Sequence, residues 1–446
     1  MLDNANLVYL LIGWSEEIDW SVRIFIYLLT IQLPMASTQN KNLRKVGLDF
    51  DLAGAEWLII IAAFMGRFLL QFYQTSIGSL GLVFGMDSFE VGIGFALFTL
   101  AFAVAAFLMR KFKPSQLKTV EIISLALLGV TMPMYIFASR FAEVYTLMII
   151  DGFITGLVMD SFMTMAGMAS IDQSKRQVEQ ASFSFWVALA LIIAPFITGY
   201  LLHLGIKEIF LIFAVMAFVA IPFVASLRGK YSLQYMEAKG HKGSASIASL
   251  FKNRQFNWAV IAAFAYTIPF YIIFSYGVYY GPVLGLSATT VFYLLAAMFV
   301  GDVITRFIIR LKSPIQNRRP YMVFAVTIAL AAAIFLALSS VSIAFFVLAF
   351  LIAAVPDGIA WTLGIQIANT TFKPDEIGTS TSFFSSSMMI MSALMPLVGY
   401  MFSVKYFGFT TTLWIFAAIT AVFFIWELLL RPAKTLNEQE AKTMKA

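Results

Sequence analysis

The chain predicts an all-α integral membrane protein, a bundle of twelve helices built as two parallel six-helix repeats. Three observations predict it: composition, a series of long apolar segments, and self-similarity at an offset of 200 residues. Hydrophobic residues make up 61% of the 446 and charged residues only 12%, against the roughly one-quarter charged content of soluble domains. Mean hydropathy is +0.86. The apolar runs reach ~20 residues or more, the length of a spanning helix rather than a barrel strand. With no cysteine, disulfides, thiolate metal sites and thiol nucleophiles are excluded.

Residues 1–55 stand outside the repeat. They hold a short apolar piece, Leu7 to Trp14, and a longer one, Trp20 to Met35, interrupted by Arg23 and followed by a basic, polar run to Lys45. At ~16 residues the longer piece is a little short for a span, and no small-residue cleavage site follows it. Three readings stay open: a surface-lying amphipathic helix, an extra span, or a non-native extension from an early start codon.

Twelve candidate spans follow, at 57–83, 90–109, 120–138, 142–168, 181–202 and 207–226, then 257–281, 289–310, 321–338, 342–368, 380–402 and 408–430. The chain thus divides into an N-terminal half (56–227), a polar linker (228–256), a C-terminal half (257–431) and a tail (432–446). With the linker placed in the cytoplasm, the cytoplasmic connections and tail carry 21 Lys and Arg, and the opposite side carries 3. That asymmetry predicts a multi-pass protein of the cell membrane with linker and C-terminus cytoplasmic. It also accounts for the net charge of +6 without a nucleic-acid partner.

The repeat is read residue by residue. Ile61-Ala62-Ala63-Phe64 returns as Ile261-Ala262-Ala263-Phe264; Gly81, Val83, Gly85, Val91, Ala96, Phe107, Arg110 and Pro114 return 200 residues later, which makes 12 identities over residues 57–114. Asp151-Gly152 in span four returns as Asp357-Gly358 in span ten, and Ser182-Phe183 and Gly199-Tyr200 in span five return as Ser382-Phe383 and Gly399-Tyr400 in span eleven. Both halves begin on the same side, so the repeats are parallel and related by an axis along the membrane normal.

Twelve spans in two parallel sets of six, a long middle loop, and basic loops after spans two and eight resemble the major facilitator superfamily (MFS). In span five, Ala194-Pro195-Phe196-Ile197-Thr198-Gly199 resembles the family's antiporter-associated Gly-Pro element with Ala at its first Gly, and leans toward export. After span two, Arg110, Lys111 and Lys113 keep the basic part of the family's loop signature, while its Asp and both Gly are missing; after span eight, Gly301, Asp302, Arg306 and Arg310 keep the residue types at altered spacing. The resemblance covers residues 56–431. It implies a central cavity lined by spans one, four, seven and ten, open alternately to each side.

Candidate substrate- or ion-binding residues fall on those spans. Arg67, Gln71 and Gln74 stand at i, i+4 and i+7 on one face of span one, and an ionisable group at mid-span must face protein or water. Their duplicated positions in span seven are Thr267, Tyr271 and Phe274. In span four, Asp151 and Asp160 are ~900° of helical rotation apart and so point to nearly opposite faces. Arg67 lies ~15 Å up its span and Asp151 ~14 Å down its own, near one depth. A pair between them is expected, in which Asp151 is the proton carrier or switch charge, or else a structural tie between spans one and four. In span ten Asp357 and Trp361 share one face, and Thr362, Gln366 and Asn369 another. Pro356 predicts a kink at the aspartate and a helix that bends during gating. Asp302 and Arg306, at i and i+4 in span eight, are read as a local ion pair near the cytoplasmic end and grouped with Pro356 as gating residues. Ser380 to Ser387 are read as helix capping and close packing rather than sugar recognition.

Other classes fare worse. A membrane enzyme would need clustered catalytic or metal-binding groups, yet the two histidines, His203 and His241, lie at a span end and in the linker. No lysine falls at mid-span in any of the twelve, as a retinal Schiff base would require; Lys207 stands at the outer end of span six. No Gly-x-x-x-x-Gly-Lys-Ser/Thr loop is present, so the chain is not its own ATPase. The expected function is secondary active transport of a small organic solute, coupled to protons, by a monomer without cofactor. An uncoupled organic-anion or sugar importer and a non-transporting sensor on the same scaffold are the rivals.

Overall fold

The computed structural model describes residues 52–167, 173–227, 247–372, 376–398 and 405–430. The apolar segments of residues 1–51 and most of the linker and tail lie outside the described residues. The first half comprises α1 (Leu52–Val83), α2 (Ser88–Met109), α3 (Leu117–Thr131, extended by a 3₁₀ turn Met132–Ile136), α4 (Phe141–Gly167), α5 (Gln173–Leu201) and α6 (Ile206–Ala225). After the short helix Ile247–Lys252 come α7 (Arg254–Val283), α8 (Ala288–Lys312) and α9 (Arg319–Ala337). The span α10 is in pieces, Ile343–Ala353, a π-helical turn Asp357–Trp361 and Thr362–Thr370; α11 (Ile377–Val398) and α12 (Lys405–Leu429) close the series. Eleven of these are long and apolar enough to cross a membrane, and α11, with 22 residues, is the serine-rich twelfth.

The duplicated residues are duplicated structure. At the end of α1 the Met86 N–H returns to the Gly81 carbonyl at 2.9 Å, and at the end of α7 the Leu286 N–H returns to Gly281 at 3.0 Å. Both turns pass through a glycine with positive φ, 70° at Gly85 and 86° at Gly285, a backbone region that side chains with a Cβ enter only with strain. Each next helix is then capped by a side chain: Asp87 in a capping box with Glu90, and Ser287 toward Thr290. Gly81 and Gly281 are small for a second shared reason. A Cβ on either would stand 2.3 Å from Cγ2 of Val91 or Val291.

Between the halves two long seams run, α5 along α8 and α2 along α11. The α7 helix is interior, with 94% of its most apolar window buried against 33% for α12. Toward the linker side the seams are tied by polar bonds. Ser182 accepts from Arg310 Nε at 2.9 Å, and its repeat partner Ser382 donates to Asp160 Oδ2 at 2.6 Å. The Asn369 amide donates to Gln180 at 3.2 Å and Ser386 to the Ala103 carbonyl at 3.0 Å. Away from the linker the halves meet through rings and a glycine instead: Phe196 lies 5.6 Å from Tyr293, and Gly199 fits against Phe292 and Tyr293.

Candidate functional site

The stripe on α1 faces α7. Gln71 is fully buried, yet neither atom of its amide has a hydrogen-bond partner, and Nε2 of buried Gln74 is likewise unmet. The Gln74 side chain faces the Tyr271 hydroxyl, so two of the duplicated stripes' residues meet across the junction of the halves. Around Tyr271 stand Phe270 at 5.2 Å, Phe274 at 5.9 Å and, from the other half, Phe95 at 6.1 Å. Arg67 is partly buried and forms no hydrogen bond or salt bridge to a described residue. The ionisable groups whose fields it feels are Tyr271, Asp357, Arg306 and Asp302, all from the second half.

Those last three form one cluster. Arg306 Nε donates to both oxygens of Asp302, one turn earlier on α8, at 2.9 and 3.0 Å. Its Nη2 reaches Asp357 Oδ2 on α10 at 2.7 Å, and its Nη1 reaches Ser184 Oγ on α5 at 2.9 Å. Ser184 is in turn hydrogen-bonded to Thr362 at 2.7 Å, and the Trp361 ring lies 4.5 Å from the guanidinium carbon. Asp302, Arg306 and Asp357 are 0, 2 and 5% exposed. Removing any one charge here would strand another in a medium that does not solvate it. The expected Asp302–Arg306 pair is therefore present, but it is one edge of a network that also takes in Asp357 and the first half.

The expected pair between Arg67 and Asp151 is not formed. Tyr73 Oη donates to Asp151 Oδ2 at 2.6 Å, Thr131 Oγ1 donates to the other oxygen, and the Tyr135 hydroxyl faces the same carboxylate. The reason is helical phase. Tyr73 is six positions beyond Arg67, turned by roughly 240°, and it is the Tyr73 face of α1 that packs toward α3 and α4. Equal depth does not bring two groups together when they lie on different faces. The divergence of Asp151 and Asp160 does hold: Asp151 faces α1 and α3, whereas Asp160 meets Ser382 on α11.

The duplicated Asp-Gly pairs gain a physical reason. A Cβ at Gly152 would stand 2.2 Å from the Phe98 carbonyl on α2, and one at Gly358 would stand 2.6 Å from the Asp302 carbonyl on α8. Each glycine lets its helix lie against a neighbour's backbone, which holds the preceding aspartate at a buried helix junction.

Elsewhere on α10, the irregularity expected at Pro356 takes the form of the π-helical turn that starts at Asp357. Gln366 lies apart from the α1 stripe, its Nε2 reaching the Gln177 carbonyl at 3.2 Å and Ser313 Oγ at 3.4 Å. The serines of α11 bond inward, Ser380 to the Ala368 carbonyl at 2.7 Å and Thr381 to Asn369 at 2.6 Å, as packing groups do. Two buried carboxylates had no signal beyond their rarity in apolar spans: Glu121 on α3, bonded by Ser161 of α4, and Glu427 on α12, which accepts from Trp258 Nε1 at 2.9 Å.

Two parallel six-helix repeats of apolar, membrane-length helices that meet across buried polar groups have the architecture of membrane transport proteins. The chain belongs to the Major Facilitator Superfamily, whose family model matches residues 56–355 and 288–445. It is similar in structure to the MFS proton:xylose symporter XylE bound to 6-bromo-6-deoxy-D-glucose, with a TM-score of 0.68 at 12% identity, over 88% of this chain and 99% of that one. It is also similar to the human organic anion transporter MFSD10 (TETRAN), with a TM-score of 0.63 at 12% identity, over 85% and 100%. At such identity the likeness is one of fold. No curated protein matches by sequence.

Proposed function

We propose that this protein is a secondary active transporter that moves a small organic solute across the cell membrane by alternating access, coupled to protons. The observation that carries the reading is the set of unmet polar groups where α1 faces α7: among the described residues Arg67 has no hydrogen-bond or ion-pair partner, and Gln71 has neither amide atom bonded. A buried amide left unsatisfied costs about 1–3 kcal/mol per group, and native proteins keep such groups where a ligand or water meets them. Asp357, Trp361 and Tyr271 complete the site from the second half, and Asp302, Arg306 and Pro356 form the element that bends or unlatches around it. Gln366 belongs with the linker-side seam.

Proton coupling rests on Asp151. Three hydroxyls face this carboxylate, and among the described residues no cation pairs with it, so it can change its charge without breaking an ion pair. XylE, a proton symporter of the same fold, is consistent with that reading. The linker and tail are placed in the cytoplasm on the lysine and arginine asymmetry, and the chain acts as a monomer. The test is uptake into proteoliposomes over anions, sugars and lipophilic cations, with and without an imposed pH gradient. Gradient-driven accumulation that Asp151→Asn abolishes, while exchange persists, supports the reading; accumulation unchanged in Asp151→Asn overturns the proton role. Binding without movement of any solute would assign the chain to the sensors.

A further inference from the structure

We infer that the α1–α7 site takes a carboxylate anion with an apolar or aromatic body, held by the Arg67 guanidinium and the Gln71 amide. This inference rests on the transport reading above and names its substrate class.

The donor set points to an acceptor-rich planar group. Arg67 offers five N–H donors in a fixed fork, and none meets a described acceptor. Gln71, one turn on along the same face, adds a free amide. A carboxylate fills both: two oxygens side by side match the fork, and a lone pair remains for the amide. A sugar's hydroxyls could accept from the guanidinium but bring no countercharge, and would leave its charge unneutralised in a buried setting. An ammonium would be repelled, and the acidic groups that might have welcomed one are occupied, since Asp302 and Asp357 are both bound by Arg306. The wall beside the stripe is aromatic, with the Tyr271 ring in contact with those of Phe270, Phe274 and Phe95. It suits a hydrocarbon or ring body and offers few further polar groups.

The repeat supplies an independent argument. Thr267 stands at the position equivalent to Arg67, and Thr267 is satisfied by the Ala263 carbonyl of its own helix at 2.7 Å. The scaffold therefore closes without a charge here, so the arginine is an addition that packing does not require.

The test uses purified full-length protein and three probes: hippurate, its neutral amide hippuramide, and xylose. Binding is read by calorimetry, with movement read by counterflow in proteoliposomes. Hippurate should bind wild type roughly 100-fold or more tighter than hippuramide, and Arg67→Gln should abolish that difference. Arg67→Lys, which keeps the charge and loses the fork, should weaken hippurate about tenfold. Gln71→Glu guards against a misfolded Arg67→Gln. It places a carboxylate i+4 from Arg67, so the protein should stay folded and at least as thermally stable while hippurate affinity falls. If hippuramide or xylose is moved equally well by wild type and Arg67→Gln, the anion assignment fails and the transport reading stands. If folded wild type binds and moves none of the three, the substrate inference is overturned, and the wider uptake panel then decides the transport reading separately.

Discussion

Asp151 and Asp357 stand at equivalent places in the two repeats, each followed by a glycine that lies against a neighbouring backbone, and the molecule answers them in opposite ways. Asp357 is bound by Arg306, a full countercharge shared with Asp302 and anchored through Ser184 to the other half. Asp151 meets hydroxyls from α1 and α3, which offer hydrogen bonds without neutralising it. One duplicated dipeptide thus carries an ion-paired carboxylate in the second half and a hydroxyl-bound one in the first. Its duplication preserved the helix packing that the glycine permits, and the partners supplied by neighbouring helices diverged.

The largest effect is expected at Arg306. In Arg306→Met two buried carboxylates lose their described ion-pair partner, and a cost of about 3–5 kcal/mol is expected, read as a lower melting temperature and lower yield in detergent, with transport lost. The same substitution logic at Asp151 predicts the reverse. Asp151→Asn keeps the volume and one acceptor, and the hydroxyl facing the new amide nitrogen can turn to accept from it, so stability should change by about 1 kcal/mol or less, whereas gradient-driven accumulation disappears; a melting loss as large as that of Arg306→Met would show that Asp151 is a structural charge after all.

Next come the glycines. Gly152→Ala forces a methyl onto the Phe98 carbonyl and should cost about 1–3 kcal/mol. Gly358→Ala meets the Thr305 hydroxyl at 2.0 Å, which is itself bonded to its own helix, and then the Asp302 carbonyl, so it should be about equally harmful. Thermal melts of the two variants side by side test whether the dipeptides are equivalent as packing devices. The smallest effects belong to single hydroxyls. Tyr73→Phe and Ser184→Ala should each cost about 1 kcal/mol, but with different readouts: the first alters the pH dependence of transport, and the second alters the rate at which the linker side opens.

Much of the fold was legible in the sequence because hydrocarbon imposes a simple rule, that each crossing be a long apolar helix. The repeat was legible at Gly81, Gly85 and Val91 because one tight packing unit serves both halves. The pair Asp302–Arg306 could be read from its i, i+4 spacing, since contacts within one helix follow from its pitch alone. The reach of Arg306 to Asp357, 51 residues on, and to Ser184, 122 residues back, could not. Nor could the choice of Tyr73 over Arg67 as the partner of Asp151, because side chains on one helix compete for a neighbour according to which face is turned inward.

What the sequence determined by itself is the class, the twelve crossings, the parallel duplication and the short list of ionisable groups on the spans, since each follows from local composition or from comparing the chain with itself. The tertiary structure alone decided which of those groups are paired. Partners for a buried charge come from whichever helices lie alongside, and helix phase and packing, set by residues such as Gly152 and Gly358, left Arg306 bound on three sides and Arg67 without a hydrogen-bond or ion-pair partner among the described residues.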